Sequence, residues 1–395
     1  MTVIEHGVAA DKQTAPDPDD PRKPDSPTDL EPPSWRYTAR MAYAEFKRDH
    51  CTDLAAALTY YAIGAAVPAM VVLLALVGVT GNPTDTTNAI VDLITDLGQG
   101  DVAEDLREPL TNIAESRAAG PALIVGALLA LWSASAYVGA FGRAMNRIYE
   151  IDEGRPFVKL RAVNLLVTLA GLVGSAVLLI TVAGTDAVAR ELGQRMGLGE
   201  TFVTAWGIAR WPLMLVVMAL LVSLLYYATP NVQQPKFRWI SVGAGLAMLI
   251  WIVGSIAFSV YVNQFSNYEK TYGSLAGVFV VLLWLYLTNL ALLLGAEFDS
   301  EMERARELEA GIPAEEILQL PPRDTKVSVK QAAKLRDDID RGRQLRRRSE
   351  KARRIEARRR VSAGSVPQTS LWGRIVGVFV LAGAWLTGGS KRPSM

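Results

Sequence analysis

The sequence predicts an all-α, polytopic integral membrane protein with six transmembrane helices and both termini in the cytoplasm. Mean hydropathy is +0.19 although 21% of the residues are charged, so the apolar residues must be concentrated in separate segments. A helix needs about 20 apolar residues to cross the hydrocarbon core, because its backbone amides must be satisfied within the segment. Six segments meet this requirement: residues 54–79, 121–142, 162–185, 207–228, 240–262 and 274–298.

The distribution of lysine and arginine predicts the orientation of these segments. Cytoplasmic connections of membrane proteins carry an excess of both residues. Basic residues precede the first segment and fill the second-to-third and fourth-to-fifth connections, whereas residues 80–120 hold two arginines against eight acids. The pattern places residues 80–120 outside and predicts a multi-pass protein of the cytoplasmic (inner) cell membrane. Within this outer connection, apolar residues at helical spacing predict two amphipathic helices that either cap a cavity or lie on the bilayer surface.

The regions that flank the six segments have their own composition. Residues 1–33 hold eight acids, three basic residues and seven prolines, which predicts a disordered acidic tail. Residues 34–53 are predicted to form an interfacial helix, and residues 300–370 a cytoplasmic, helical, arginine-rich tail. Residues 371–389 are apolar but short for a span, so an in-plane membrane anchor is favoured over a seventh crossing.

The arginine-rich tail predicts contact with the anionic inner leaflet of the membrane. Residues 341–360 hold eleven basic residues against two acids. Nucleic-acid binding would have the same electrostatics, but the block lacks aromatic residues for base stacking, so membrane lipid is the favoured partner and no nucleic acid is expected. A homo-oligomer is compatible with the sequence. The arginines assigned to anionic-lipid contact are Arg346, Arg347, Arg348, Arg353, Arg354, Arg358, Arg359 and Arg360.

Several function classes are disfavoured by motifs that the sequence lacks. Cys51, His6 and His50 are too few for a zinc cluster, so neither a metal nor another cofactor is expected. The sequence has no GxxxxGK[ST] phosphate loop, no HExxH motif and no GxSxG elbow. These absences favour a protein that is not an enzyme and that does not hydrolyse ATP by this route.

Polar residues inside membrane spans are costly and often mark function. Here they concentrate in the cytoplasmic half of the spans, which predicts a polar vestibule open to that side. Glu297 is expected either to face Arg143 or to lie at headgroup level, and Asn289 either to contact substrate or to join helices. The candidate substrate-path residues are Tyr60, Tyr61, Pro68, Arg143, Asn146, Asn164, Asn289 and Glu297.

Proline and glycine add two structural predictions. Pro68 lies near the middle of the first span and predicts a kink, which either lines a substrate path or is purely structural. Gly273 and Gly277 form a small-xxx-small pair, which predicts close packing against another helix.

Several short blocks follow one another in order within residues 36–300. They are residues 55–61 with Pro68, Trp132-Ser133 with Gly139, residues 144–149, Tyr272-Gly273-Ser274, Trp284-Leu285-Tyr286 with Asn289, and residues 294–297. Together these blocks resemble the YihY/BrkB family of bacterial inner-membrane proteins. This resemblance implies a role in virulence and in moving envelope lipids or their precursors. The family once carried the name ribonuclease BN, but the metal ligands that such a nuclease needs are missing here.

The residues and the resemblance together favour a transporter or flippase of lipids or envelope precursors that is not driven by ATP. The alternative is a non-transporting membrane scaffold that recruits partners or anionic lipids through its basic tail. An intramembrane enzyme is a third hypothesis, disfavoured because the spans offer no nucleophile paired with a base.

Overall fold

The computed structural model describes residues 8–78, 91, 107, 119–183, 199–235, 241–264 and 275–362. Apart from residues 91 and 107, the two predicted amphipathic outer helices lie outside this part of the chain, as do Gly273 and residues 371–389. Contacts divide the chain into two compact units, residues 1–332 and residues 333–395.

The described residues form α-helices, two short 3-10 turns and no β-strand, which confirms the all-α prediction for this part of the chain. The helices are α1 (Val8–Asp11), α2 (Pro32–Arg48), α3 (Cys51–Gly78), α4 (Ala119–Ile148), α5 (Phe157–Ala183), α6 (Gly199–Ala228), α7 (Val242–Gln264), α8 (Leu275–Glu309) and α9 (Lys326–Ser362).

Four helices are long and apolar enough, within the described residues, to cross a membrane. The qualifying stretches are Phe157–Leu178 of α5, Thr204–Ala228 of α6, Val242–Val262 of α7 and Gly277–Glu309 of α8. Helices α3 and α4 occupy the first two predicted spans. The count of six crossings and the orientation of the termini stay predictions.

Helix α8 is the central partner of the bundle. It packs along α7 and against α2 and α3, while α3 packs along α4, and α5 contacts both α4 and α6. Small residues favour close helix contact in lipid, where no hydrophobic force drives helices together. Alanines accordingly line the buried core of the bundle, among them Ala55, Ala140, Ala144, Ala244, Ala247 and Ala296.

Helices α7 and α8 approach each other closely where two glycines face each other. A Cβ placed on Gly243 would collide with the carbonyl oxygen of Gly295, and a Cβ on Gly295 would collide with that of Gly243. Only glycine fits on both sides of this crossing. Gly277 is half-buried near the start of α8, and its predicted packing role stays a prediction.

One end of the bundle carries a folded polar region, called the polar end below. It consists of residues 8–31, the connections 149–156 and 229–235, and residues 310–325. Gly311 ends α8 with a positive φ of 72°, and the amide of Ile312 donates to the carbonyl of Glu307 at 2.9 Å, which turns the chain back toward the bundle.

Residues 8–31 pack against α8 and the connection after α4, which differs from the disorder predicted for residues 1–33. Lys23 is 3% exposed and donates to Glu303 at 2.9 Å and to Glu307 at 3.3 Å. Lys12 donates to the carbonyl of Glu150 at 3.0 Å, and burial lowers the pKa of Lys12 to about 8. The acidic composition of this segment predicted disorder, but two of its few basic residues, Lys12 and Lys23, anchor it to the rest of the protein.

Candidate functional site

Asn289 connects three helices in the interior of the bundle. Its side chain is 2% exposed, and its Oδ1 accepts a hydrogen bond from the Tyr137 hydroxyl of α4 at 2.9 Å. Its Nδ2 donates to Thr59 Oγ1 of α3 at 3.2 Å. The oxygen and the nitrogen of this amide thus both form hydrogen bonds to other helices, as is typical of asparagines that join helices in membrane proteins.

Glu297 lies against the first residue of α3, and the expected pair with Arg143 is not formed. The carboxylate is 1% exposed and accepts a hydrogen bond from Cys51 Sγ at 3.2 Å. This hydrogen bond joins α8 to the start of α3. Nothing in the sequence distinguished Cys51, because a single cysteine usually behaves as a small apolar residue.

Asn146 is buried at the polar end and organises two connections. Its Nδ2 donates to Glu153 Oε2 at 3.0 Å, and its Oδ1 accepts from the backbone amide of Asn231 at 2.7 Å. Asn146 therefore holds the chain after α4 against the chain after α6. Its predicted place in a substrate path stays a prediction.

Arg155 performs a related structural task that the sequence did not reveal. The side chain is buried, and its Nε and Nη2 each donate to Glu153 at 2.7 Å. Nη2 also donates to the carbonyl of Thr229 at 2.6 Å. In the sequence, Arg155 is one of several basic residues in a predicted cytoplasmic connection, so nothing distinguished it.

Two arginines lie beside aromatic rings where α3, α4 and α5 meet. The Cζ of Arg143 lies 5.5 Å from the ring centre of Tyr61, and that of Arg161 lies 3.8 Å from the ring centre of Trp132. Within the described part of the chain, neither guanidinium is paired with a carboxylate. The residues called the cationic face below are Tyr61, Trp132, Arg143, Arg161 and Asn164.

Gly139 brings the polar groups of the cationic face together. A Cβ at Gly139 would lie 3.1 Å from Asn164 Nδ2 and 3.8 Å from Arg143 Nη1. Trp132, Gly139 and Arg143 share one side of α4 through spacings of seven and four residues, and Arg161 and Asn164 share one side of α5. The absence of a side chain at Gly139 leaves room for the amide and the guanidinium.

The cationic face holds an unsatisfied donor. Arg161 Nε is buried and has no hydrogen-bond partner among the described residues. Such a donor costs about 1–3 kcal/mol when it is left unpaired, so an acceptor supplied by a ligand would stabilise this arrangement. Tyr60 is 76% exposed next to Tyr61, and Pro68 is half-buried inside α3, seven residues beyond Tyr61.

The tail arginines lie on α9 within the second compact unit. The side chains of Arg346, Arg347, Arg348, Arg353, Arg354, Arg358 and Arg359 are exposed, and Arg360 belongs to the same helix. Arg346 forms an ion pair with Glu350 at 3.8 Å. Their contact with anionic lipid stays a prediction.

Among the described residues, no group of three or more His, Cys, Asp or Glu side chains is placed to hold a metal ion. One titratable group with a shifted pKa outside the predicted spans is Asp49, at the corner between α2 and α3. Arg147 Nε donates to its carboxylate at 3.3 Å. Burial nevertheless raises the pKa of Asp49 from 3.8 to about 6, because it outweighs the opposing charge of Arg147.

This raised pKa predicts a pH-dependent stability. The folded state holds the Asp49 proton more tightly than the unfolded state, so the stabilisation is complete below pH about 4 and is lost as the pH rises through about 6. In the Asp49→Asn variant this pH dependence should disappear. The melting temperatures of both proteins at pH about 4.5 and about 7.5 test this prediction. If the melting temperatures of the two proteins differ by the same amount at both pH values, the prediction is contradicted.

The chain is similar in sequence to proteins of known bacterial families. The family model described as Virulence factor BrkB matches residues 42–317. YfkH of Bacillus subtilis, which is named as ribonuclease-like, is 30% identical over 254 residues, or 64% of this chain and 90% of that protein. No solved structure matches the chain.

Two further relatives are named UPF0761 membrane proteins. Those of Chromohalobacter salexigens and Alkalilimnicola ehrlichii are each 29% identical, over 257 and 261 residues. The matched regions are 65% and 64% of this chain but only 60% and 55% of those relatives, less than two thirds of their length. The family match covers well over half of the sequence and confirms the resemblance found from its motifs. The chain therefore belongs to the BrkB virulence-factor family of membrane proteins.

Proposed function

We propose that this protein binds anionic lipids or lipid-like envelope precursors at its cationic face and moves them across the cytoplasmic membrane without hydrolysing ATP. The observation that carries the proposal is the pair of guanidinium groups, Arg143 and Arg161, that contact aromatic rings but no carboxylate in the described part of the chain. A charged side chain next to lipid needs a counter-charge, and an anionic headgroup supplies one.

The chemistry of the cationic face suits a phosphate group. A guanidinium presents a planar set of donors that binds two phosphate oxygens at once. Asn164 adds an amide donor beside Gly139, and Arg161 Nε needs an acceptor. Together these groups favour a compact anion over a neutral polar headgroup.

The depth of the cationic face also supports the proposal. Arg143 directly follows the predicted span 121–142, and Arg161 lies near the start of the apolar stretch Phe157–Leu178. The backbones of both residues therefore lie near the ends of α4 and α5 that the short connection 149–156 joins, at the predicted cytoplasmic boundary of these spans, where lipid phosphates are expected. Leu166 and Leu169 of α5 are exposed and offer an apolar surface to acyl chains.

Transbilayer movement of a fluorescent phosphatidylglycerol in proteoliposomes tests the proposal. The Arg143→Gln/Arg161→Gln double variant is expected to slow movement at least about tenfold, because each charged hydrogen bond contributes about 1.5–3 kcal/mol. The matched control is Arg147→Gln on the same helix, since Arg147 is already paired with Asp49 at 3.3 Å. Its rate should stay within about twofold of wild type, as expected for a partly exposed ion pair.

Equal rates in the wild type and the double variant would contradict the proposal and would leave the two arginines as interfacial anchors. A neutral fluorescent phosphatidylcholine serves as a second comparison. If the double variant slows both lipids equally, the anion selectivity of the cationic face is wrong.

The scaffold function has one observation in its favour, the dense row of exposed arginines on α9. Under that hypothesis, removal of residues 341–360 abolishes the cellular function, whereas the double variant of the cationic face retains it. Under the transport proposal the opposite result is expected, and the tail contributes only membrane contact.

A further inference from the structure

An apolar groove lies where α7 and the corner between α2 and α3 both pack against α8. Its volume is about 310 Å³, at the lower end of the range of ligand sites in proteins. None of the described residues that line it is charged. Phe46 and Thr52 come from the corner, Trp251 and Gly254 from α7, and the side chains from Trp284 to Leu294 from one side of α8.

The length of the groove matches the depth of one leaflet. Ten residues of α8 separate Trp284 from Leu294, which at 1.5 Å per residue gives a length of about 15 Å. The hydrocarbon core is about 30 Å thick, so the groove covers half of it. Leu294 lies four residues before the end of the predicted span 274–298. In the predicted orientation, the groove therefore runs from the cytoplasmic boundary to the middle of the bilayer.

The groove is too narrow for a helix. Spread over this length, its volume corresponds to a mean cross-section of about 20 Å². An α-helix with its side chains is about 10–12 Å in diameter, which requires at least about 80 Å². Apolar carbon atoms touch at about 4.0–4.5 Å, so a single chain of methylene groups requires about 16–20 Å². The dimensions of the groove thus suit one acyl chain and not a helix of a second copy.

The polar groups on the walls of the groove form hydrogen bonds to one another. Trp251 Nε1 donates to Thr288 Oγ1 at 3.1 Å, and the Thr288 hydroxyl donates to the carbonyl of Trp284 at 2.8 Å. The rings of Trp251 and Trp284 lie edge to face, with their centres 6.1 Å apart. Because these donors are used within the protein, the walls offer mainly carbon surface, which favours an occupant without polar groups along its length.

The mouth of the groove lies at the level where charged side chains begin. Thr52 follows Cys51, which donates to Glu297 at 3.2 Å, one turn of α8 beyond the groove. Lys47 and Asp53 are exposed and are sequence neighbours of residues that line the groove. Charges of both signs thus occur near the mouth, so we expect binding to depend on the acyl chain and not on the charge of the headgroup.

We propose that this groove binds one acyl chain of a phospholipid from the cytoplasmic leaflet. The site is separate from the cationic face, because α7 and α8 form two of its sides, whereas the cationic face belongs to α3, α4 and α5. A bound chain supplies carbon contacts between α7 and the corner of α2 and α3. In lipid, where no hydrophobic force drives helices together, such contacts hold neighbouring helices in place.

Native mass spectrometry of the full-length protein tests this site, after the detergent-purified protein is incubated with dioleoyl phosphatidylcholine, whose headgroup has no net charge. Wild type is expected to retain one phosphatidylcholine per chain. Gly254→Leu should lower this occupancy at least about fivefold, because the new side chain fills the groove. No atom lies within 4 Å of a Cβ at Gly254, so the substitution leaves the backbone of α7 undisturbed.

Gly245→Leu is the matched control on the same helix. A Cβ at Gly245 likewise has no atom within 4 Å, but Gly245 does not line the groove. The occupancy of phosphatidylcholine in this variant should stay within about twofold of wild type. Lysophosphatidylcholine, which has a single acyl chain, should displace phosphatidylcholine from wild type at similar concentrations, because the groove holds only one chain.

Three results would overturn the proposal. They are failure of wild type to retain phosphatidylcholine, equal occupancy in wild type and Gly254→Leu, and equal loss of lipid from both glycine variants. A dimer that is present in wild type and absent from Gly254→Leu, with lipid occupancy unchanged, would also overturn it and would identify a second copy as the occupant. None of these outcomes involves Arg143 or Arg161, so the transport proposal is tested separately.

Discussion

Replacement of Arg304 by methionine is expected to lower the free energy of unfolding by about 3–5 kcal/mol, the usual result when one partner of a buried ion pair is removed. Arg304 is 3% exposed on α8. Its Nε donates to both carboxylate oxygens of Glu301 at 3.0 and 3.1 Å, and its Nη2 donates to Glu150 at 2.9 Å. Methionine fills the volume but leaves the buried Glu301 carboxylate without a cation.

The same substitution also removes a backbone contact. Arg304 Nη1 donates to the carbonyl of Ala314 at 2.8 Å, which holds the chain after α8 against the helix. Chemical unfolding in detergent, followed by circular dichroism, measures the loss. Arg341→Met is the matched control, because Arg341 is 75% exposed in its pair with Asp338 and should change stability by about 0–1 kcal/mol. Similar values for the two variants would show that the Arg304 cluster contributes no more than a surface pair.

Substitution of Gly243 by alanine is expected to cost about 3 kcal/mol, at the upper end of the range for overpacked cores. The new Cβ would collide with the Gly295 carbonyl and would lie 2.5 Å from Asp299 Cγ. Backbone atoms do not move aside as flexible side chains do, so α7 and α8 must separate. The same unfolding experiment measures the effect.

Gly245→Ala is the control for this prediction, because it places the same residue two positions along α7. No atom lies within 4 Å of a Cβ at Gly245. In that open position alanine should raise stability by about 0.5–1 kcal/mol, since it restricts the unfolded chain and favours the helix. Destabilisation by both variants to the same extent would mean that the α7–α8 crossing is not specially tight.

The positions of the membrane helices could be read from hydropathy alone. The predicted segment 162–185 corresponds to α5 at Phe157–Ala183, and the segment 240–262 to α7 at Val242–Gln264. An apolar run of the required length is a local property, because a helix in lipid satisfies its own backbone. Prediction of these elements therefore needs no knowledge of their neighbours.

The ends of the helices were less predictable. Helix α4 continues to Ile148, beyond the predicted end at residue 142, and α8 continues to Glu309, beyond residue 298. The helical turns beyond each apolar stretch are stabilised by hydrogen bonds to residues distant in sequence. Lys23 donates to Glu307, and Ser300 donates to the carbonyl of Ile148. Hydropathy does not register such contacts.

The candidate site was predictable as a set of residues but not as a set of pairs. The free-energy cost of a polar group in the membrane drew attention to Asn164 and Glu297 in the sequence, and Arg143 was predicted as a partner of Glu297. The partners of these residues were not encoded locally: Glu297 meets Cys51, and the second arginine of the cationic face, Arg161, lies over Trp132. Pairing depends on which helix faces meet, and that is decided by glycine and alanine contacts spread over the whole bundle.

The sequence by itself therefore determined the all-α membrane class, the approximate helix positions and the family, because each rests on the length and order of local apolar segments. Only the tertiary structure decided that residues 8–31 pack against α8, that Gly243 meets Gly295, and which charges are buried together. The physical reason is that desolvation and close packing act between residues far apart in the chain. Their free energies depend on three-dimensional neighbours that composition does not specify.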